Sequence, residues 1–179
     1  MKIYTRIGDR GDTRLFDGSN TRKDDPRVDA YGVVDELNSF IGAAASGIAD
    51  REILDQLRDI QRDLFSVGAQ LADPRAGESR NERFRLDPVR VTDLENSIDR
   101  FETELPPLRQ FILPGGAPAG AMLHLARTVC RRAERKVVSL ANKISVDQTV
   151  IQYLNRLSDF LFVLARLVNH RYGQEEIPW

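Results

Sequence analysis

Residues 118–143 read PAGAMLHLARTVCRRAERKVVSLANK. Projected at about 100° per residue, Arg127, Arg131, Glu134 and Arg135 fall within about 100° of arc, while Met122, Leu125, Val129, Ala133, Val137 and Leu140 gather on the opposite side. With Arg132, one helix carries four guanidinium groups and a carboxylate beside a face built for a core. A guanidinium presents a planar fork of donors matched to phosphate oxygens, so the charged face is a candidate polyphosphate site, provided a second segment closes over it. The alternative is a solvated, salt-bridged helix surface.

Outward from this helix the same three- and four-residue spacing recurs. Ala30, Val34, Leu37, Ile41 and Ala44 predict a first helix from Asp25 to Ser46, with Pro26 suited to its first turn and Tyr31, Asp35, Asn38, Ser39 and Gly42 on its other face. Ile53, Leu57, Ile60, Leu64, Val67 and Leu71 predict a second, from Asp50 to Leu71, ending before Asp73-Pro74. The polar segment from Arg75 to Arg85 reads as a loop. Asp87-Pro88 opens a third helix on Leu94, Ile98, Phe101 and Leu105 that stops at Pro106-Pro107. The fourth runs from Pro118 to Lys143. A fifth, from Val150 to Tyr172, buries Ile151, Leu154, Leu157, Leu161, Leu164 and Val168 and turns Gln152, Asn155, Asp159, Arg166 and His170 away. No strand alternation and no fixed-period repeat is expected, and residues 1–24, with Gly8, Gly11 and Gly18, read as irregular. The expected fold is an all-α, antiparallel five-helix bundle with an irregular N-terminal arm, as a single domain over 1–179. Second polar faces on helices one, four and five point to a subunit interface.

Composition removes several function classes. The 26 Lys and Arg balance 27 Asp and Glu for a net charge of −1, so no global field draws nucleic acid or an anionic membrane, and any anion must be held locally. Of the basic residues four are Lys and 22 are Arg. The single cysteine, Cys130, excludes an intrachain disulfide and reads as a buried thiol. No apolar run has transmembrane length and Met1–Arg6 lacks a signal-peptide core, so a cytoplasmic location is expected. Neither histidine has a Glu three residues before it, so the helical di-iron motif is absent, as are a Cys/His zinc cluster and a G-x-S-x-G serine.

The arm Thr5-Arg6-Ile7-Gly8-Asp9-Arg10-Gly11-Asp12-Thr13, with Lys23 nearby, has glycines that let backbone approach a ligand and hydroxyls beside them; it is an anion cradle or an ordinary loop, and it is not a P-loop. Asp35 and Asn38 could meet a partner arginine or a polar substrate edge, or lie on a solvated face. Asn155 and Asp159 share a face, and Asp159 could equally pair with Arg156. Phe111 precedes Leu113-Pro114-Gly115-Gly116 and is either packed or ligand-facing. His124 reads as a core residue, and His170 as a cap or a solvated side chain.

The segments 3–11, Ala30 to Asn38 (AYGVVDELN), Phe111 to Gly116 (FILPGG), Ala126 to Arg135 (ARTVCRRAER) and Tyr153 to Asp159 (YLNRLSD), in this order, together resemble the PduO-type ATP:cob(I)alamin adenosyltransferases. The resemblance implies a homotrimer of five-helix bundles that transfers the 5′-deoxyadenosyl group of ATP to cobalt(I) of a reduced corrinoid, releasing triphosphate. ATP would lie between the arm of one subunit and the fourth and fifth helices of the next, with Mg²⁺ on the triphosphate and no dedicated protein metal cluster. Carried over by position, Thr5 through Thr13 and Lys23 wrap the triphosphate. Arg131 and Arg135 contact phosphates, Arg132 is a further nucleotide-binding residue, Glu134 helps to order the site, and Asn155 contacts the nucleotide. Asp35 and Arg127 form a cross-subunit ion pair near the corrinoid, Asp159 is a site-ordering carboxylate, and Phe111 covers the lower face of cobalt and excludes its axial ligand.

Because cobalt(I) is itself the nucleophile, the absence of a triad or general base is expected, and positioning and charge stabilisation are what the protein must supply. Transient contacts with a cob(II)alamin reductase and a B12-dependent enzyme follow from the resemblance. The alternative is a non-catalytic module that binds ATP or corrinoid and delivers cofactor. No role is assigned to residues 75–85 or to the tail 173–179.

Overall fold

The computed structural model describes residue 4 and residues 6–75 and 84–179; Thr5 and most of the 75–85 loop lie outside them. Five helices account for the body of the chain: α1 (Pro26–Ala45), α2 (Arg51–Ala72), α3 (Val89–Glu102), α4 (Pro118–Ala141) and α5 (Gln148–Arg171). Three begin where an aspartate can accept orphan backbone N–H groups: Asp25 from Arg27, Asp50 from Glu52 and Ile53, and Asp147 from Thr149. Asp87 accepts from the Val89 N–H at 2.9 Å and so helps open α3 despite Pro88 between them. Among the described residues no helix is long and apolar enough to cross a membrane.

α1 packs against α2 and α4, α4 against α5, and α3 against α5. Cross-helix partners fix the directions: Asp29 with Lys136 and Glu36 with Arg132 set α1 antiparallel to α4, and Glu134 with Asn155 plus Gly120 against Asn169 set α4 antiparallel to α5. The long α3–α4 connection lets α3 run alongside α5 in the same direction, with Glu95 on Arg156 and Phe101 stacked 6.0 Å from Phe160. α5 is the most enclosed element. Tyr153, Leu157, Phe160, Leu161, Leu164 and Leu167 are fully buried on one face of it, and from Val163 to Asn169 every residue is buried, all round the helix.

Several expectations need correction. The arm contains a short antiparallel hairpin, β1 (Asp12–Arg14) with β2 (Asn20–Arg22), after a 3-10 turn at Ile7–Arg10. Three-residue strands are too short to show a period-two pattern; their turn is set by Gly18 at φ 85° and by the Asp17 carboxylate accepting from the Ser19 N–H and hydroxyl. On α4, Met122 and Leu125 are 37% and 48% exposed, and the buried stripe runs instead through Leu123, Ala126, Cys130, Ala133 and Val137. Small residues there let α4 approach α1 and α5 closely, which turns the larger pair outward. Arg166, expected to face solvent, is buried at 3% exposure, and Asn38 is buried too, its side-chain amide donating to the Gln61 backbone carbonyl on α2 while the Gln61 side-chain amide donates to the Asn38 backbone carbonyl. Both polar side chains stay inside because each meets hydrogen-bond partners there. Cys130 is buried as expected, its thiol donating to the Leu154 carbonyl.

A polar knot ties α2, α3 and α5. The buried Tyr153 hydroxyl donates to Asp63 at 2.8 Å, and Arg90 donates to the same carboxylate at 2.9 Å. Burial and then Asp63 push the Tyr153 phenol well up, so it remains a donor at every physiological pH. Tyr153→Phe removes that donor while Arg90 continues to neutralise Asp63, and is expected to cost about 1–2 kcal/mol in urea denaturation with unchanged secondary structure.

His124 is buried on α4 with no partner for Nδ1, its ring 6.1 Å from Phe162. Burial, then the charge of Arg127, push its pKa down to about 4, with Glu176 pulling weakly the other way. The unfolded chain, protonating near 6.5, therefore takes up protons before the folded one. Stability that is complete above about 6.5 is lost as pH falls towards 4, and His124→Gln is expected to flatten that part of the stability–pH curve relative to wild type.

Candidate functional site

α4 separates its two duties as its spacing requires. Below, the buried stripe meets α1 and α5; above, Arg131 and Arg135 are exposed, and among the described residues neither guanidinium has a hydrogen bond or ion pair. Two unneutralised arginines one turn apart repel each other mildly, so such a face is suited to an incoming anion. Beside them the Glu134 carboxylate accepts from Asn155 Nδ2 of α5 at 3.0 Å, which fixes the amide's orientation and leaves its oxygen outward to accept. These four side chains form the assembled part of the site.

Arg132 points elsewhere: it is ion-paired with Glu36 on α1 and belongs to the α1–α4 seam. Asp159 takes the intrahelical option, accepting from Arg156 at 2.8 Å, while the same guanidinium donates to Glu95 on α3 at 3.0 Å. Arg156 is thus the strap that holds α3 next to the turn bearing Asn155.

Arg127 sits half-buried with its guanidinium 5.9 Å over the Phe162 ring and its Nε buried without a partner. Burial, then Arg131, lower its pKa. An unpaired buried donor on a cation is costly. Asp35 lies exposed on α1, lining a cleft of about 230 Å³ with Tyr31, Gly32, Phe65 and Gly68. No ion pair joins Asp35 to Arg127 within the chain.

The described part of the arm is a compact cradle. Arg6 adopts φ 62° and Gly11 φ 85°, the turn being closed by the Gly11 N–H to the Gly8 carbonyl at 3.2 Å. Lys23 donates from Nζ to the Gly8 carbonyl at 2.9 Å and from its backbone to Gly11 at 2.9 Å, while Arg22 lies within 3.6 Å of Asp12. A Cβ on Gly8 would come within 2.9 Å of Lys23 Nζ, so a larger residue there would shift the ammonium. Asp9, Arg10 and Thr13 complete the exposed or half-exposed rim. The hairpin is moored to the C-terminal end of α2 by the Phe16 N–H to Ala72, next to which Arg27 of α1 donates to the carbonyls of Leu71 and Asp73. Among the described residues no hydrogen bond or ion pair links the arm to Arg131, Arg135 or Asn155. Nor do three or more His, Cys, Asp or Glu side chains converge as metal ligands among them.

Phe111 is 80% exposed on the α3–α4 connection. Its stem is built by a residue the sequence reading missed, Asn169. The side chain accepts from the Ala117 N–H at 3.0 Å and donates to the Gly115 carbonyl at 2.8 Å. Gly116, at φ 102°, and Gly120 are required by this contact, since a Cβ on either would fall 2.4 or 2.0 Å from the Asn169 amide. An Asn inside the apolar run of the fifth helix, opposite two spaced glycines, was the available signal.

Comparison with known proteins agrees with this geometry along the length of the chain. The family model described as cobalamin adenosyltransferase matches residues 3–168. A corrinoid adenosyltransferase of Bacillus subtilis is 43% identical over all of this chain and 92% of its own length. The corrinoid adenosyltransferase PduO of Salmonella typhimurium is 45% identical over 93% of this chain, which spans 49% of that longer protein. A structure of a variant PduO-type ATP:corrinoid adenosyltransferase from Lactobacillus reuteri, complexed with cobalamin and ATP, matches with a TM-score of 0.91 at 39% identity over 99% of each chain. With the family model covering nearly the whole bundle and relatives above 40% identity from end to end, the chain belongs to the cobalamin adenosyltransferase family.

Proposed function

We propose that this protein transfers the 5′-deoxyadenosyl group of ATP to cobalt(I) of a reduced corrinoid and releases inorganic triphosphate. Its family and its likeness to a structure holding both cobalamin and ATP support the reading. The observation in this chain that carries it is the exposed, unneutralised Arg131–Arg135 pair beside the Glu134–Asn155 hydrogen bond.

In the reaction the electron pair of cobalt(I) forms the bond to C5′ as the C5′–oxygen bond breaks, and the triphosphate leaves with that bond's electrons. No residue needs to act as nucleophile or general base. Arg131 and Arg135 meet the negative charge that gathers on the leaving group, where fixed donors are most effective. Asn155, held by Glu134, orients the nucleotide, and Thr5 through Thr13 with Lys23 wrap the phosphates. Mg²⁺ carried by the triphosphate would supply further charge neutralisation. Arg156 and Asp159 keep the α5 turn in place. Phe111 covers the lower cobalt face and excludes an axial ligand there.

A homotrimer completes the site in this reading. Among the described residues the arm makes no hydrogen bond or ion pair with Arg131 of its own chain, Arg127 keeps a buried Nε without a partner, and Asp35 is exposed on another helix; a neighbouring copy would bring arm to α4 and Asp35 to Arg127. The exposed Met122 and Leu125 fit such a contact. Cytoplasmic location and transient encounters with a cob(II)alamin reductase and a B12-dependent enzyme accord with this chemistry.

Anaerobic incubation with chemically reduced cobalamin and Mg-ATP is expected to yield adenosylcobalamin, followed spectrally, and triphosphate, followed by chromatography, in equal amounts. Tight ATP binding with neither product would replace the transferase by a carrier. Arg131→Ala is expected to lower kcat about 10²- to 10³-fold, as removal of a transition-state donor does. Phe111→Ala should slow formation from cob(II)alamin and a reductant more than formation from cob(I)alamin.

A further inference from the structure

Phe111 occupies a loop with no regular structure, yet the backbone at Phe111 and just after it is tied to residues 177–179. Ile112 forms an antiparallel bridge with Pro178, the Leu113 N–H donates to the Ile177 carbonyl at 2.8 Å, and the Trp179 N–H donates to the Phe111 carbonyl at 2.9 Å. The tail is therefore a partner strand for the Phe111 loop. It contributes little burial, because Ile177 and Trp179 are 61% and 86% exposed, so hydrophobic packing does not account for its place.

A pairing this short is marginal alone and needs an anchor. Arg166 supplies it. From within the core of α5 its Nε donates to Glu176 Oε1 at 2.5 Å, and its Nη2 donates to the Pro106 carbonyl at 2.8 Å. One guanidinium thus holds both the tail and the beginning of the loop, while Asn169, almost one turn further on, holds the loop's end. A buried ion pair is a poor device for raising stability, since apolar side chains of similar size usually do better; what it supplies is a fixed geometry.

We infer that Arg166 and Glu176, through the tail strand 177–179, are positioning residues for Phe111, fixing the height and direction of its ring. This rests on the transferase reading for what Phe111 does. The tail touches no reacting atom in this scheme, and its loss acts through the loop.

Glu176→Gln and a chain ending at Glu175 test the inference, with three readouts on each. Amide hydrogen exchange at Leu113 should accelerate about tenfold or more, because its acceptor is released. Turnover from cob(II)alamin with a reductant should fall about five- to tenfold, the effect of a ring out of place. ATP affinity should change less than about twofold, since the α4 face is untouched; a general loss of folding would move all three together. Faster exchange at Leu113 with full turnover would overturn the positioning role, and unchanged exchange would overturn the anchor itself. A wild-type protein that makes no adenosylcobalamin would instead sink the transferase reading, and the role of the tail with it.

Discussion

From Val163 to Asn169 α5 is enclosed on all sides, and the polar groups the helix carries inward must find partners there. Tyr153 reaches Asp63 on α2, Asn169 reaches the backbone of the α3–α4 connection, and Arg166 reaches both that connection and the tail. Each contact fixes a neighbour that the apolar surface alone would leave free to slide. Hydrophobic burial gathers the bundle, but these few directional bonds decide its registers.

The candidate site follows from that arrangement. With α4 pressed against α5 through alanines and Cys130, the arginine face is turned out rigidly, and the Glu134–Asn155 hydrogen bond joins the two helices at the place where the nucleotide would lie. At the opposite end of the same two helices, Gly116, Gly120 and Asn169 shape the stem of the Phe111 loop. One helix pair thus sets the position of both substrates' contacts in the proposed reaction. The Cys130 thiol between them is inert: burial, then Glu134 and Asp159, push it well up, so it packs as a small apolar residue.

A single chain holds only part of the proposed site. Among the described residues Arg131 and Arg135 have no hydrogen bond or ion pair, Arg127 keeps an unsatisfied buried donor, and the arm is moored to the end of α2. Strain or frustration of this kind is tolerated where assembly or ligand relieves it. That is the physical content of reading the site as shared between subunits.

The five helices were legible from periodicity, and the first two starts lie at the expected Asp25 and Asp50, because helix formation and capping are local, depending on residues within one or two turns; the fifth begins ahead of the expected Val150, capped by Asp147. The arginine face and the Phe111 loop were legible as chemistry for the same reason, and ordered motifs along the chain carried the family. What the sequence left open was every choice made by a contact between distant residues. Whether Arg132 served the anion or Glu36, whether Asp159 paired with Arg156, whether Asn38 and Arg166 faced water or the core, and why Gly116 and Gly120 must be glycine all depend on helices more than 20 residues away or on competition between equal neighbours. The tail gave no local signal, for its place rests on backbone bonds to residues some 65 positions earlier. Local sequence determined the elements and their chemistry; packing alone decided which partners each polar group received, because a helix's periodic face specifies that it is buried and not against what.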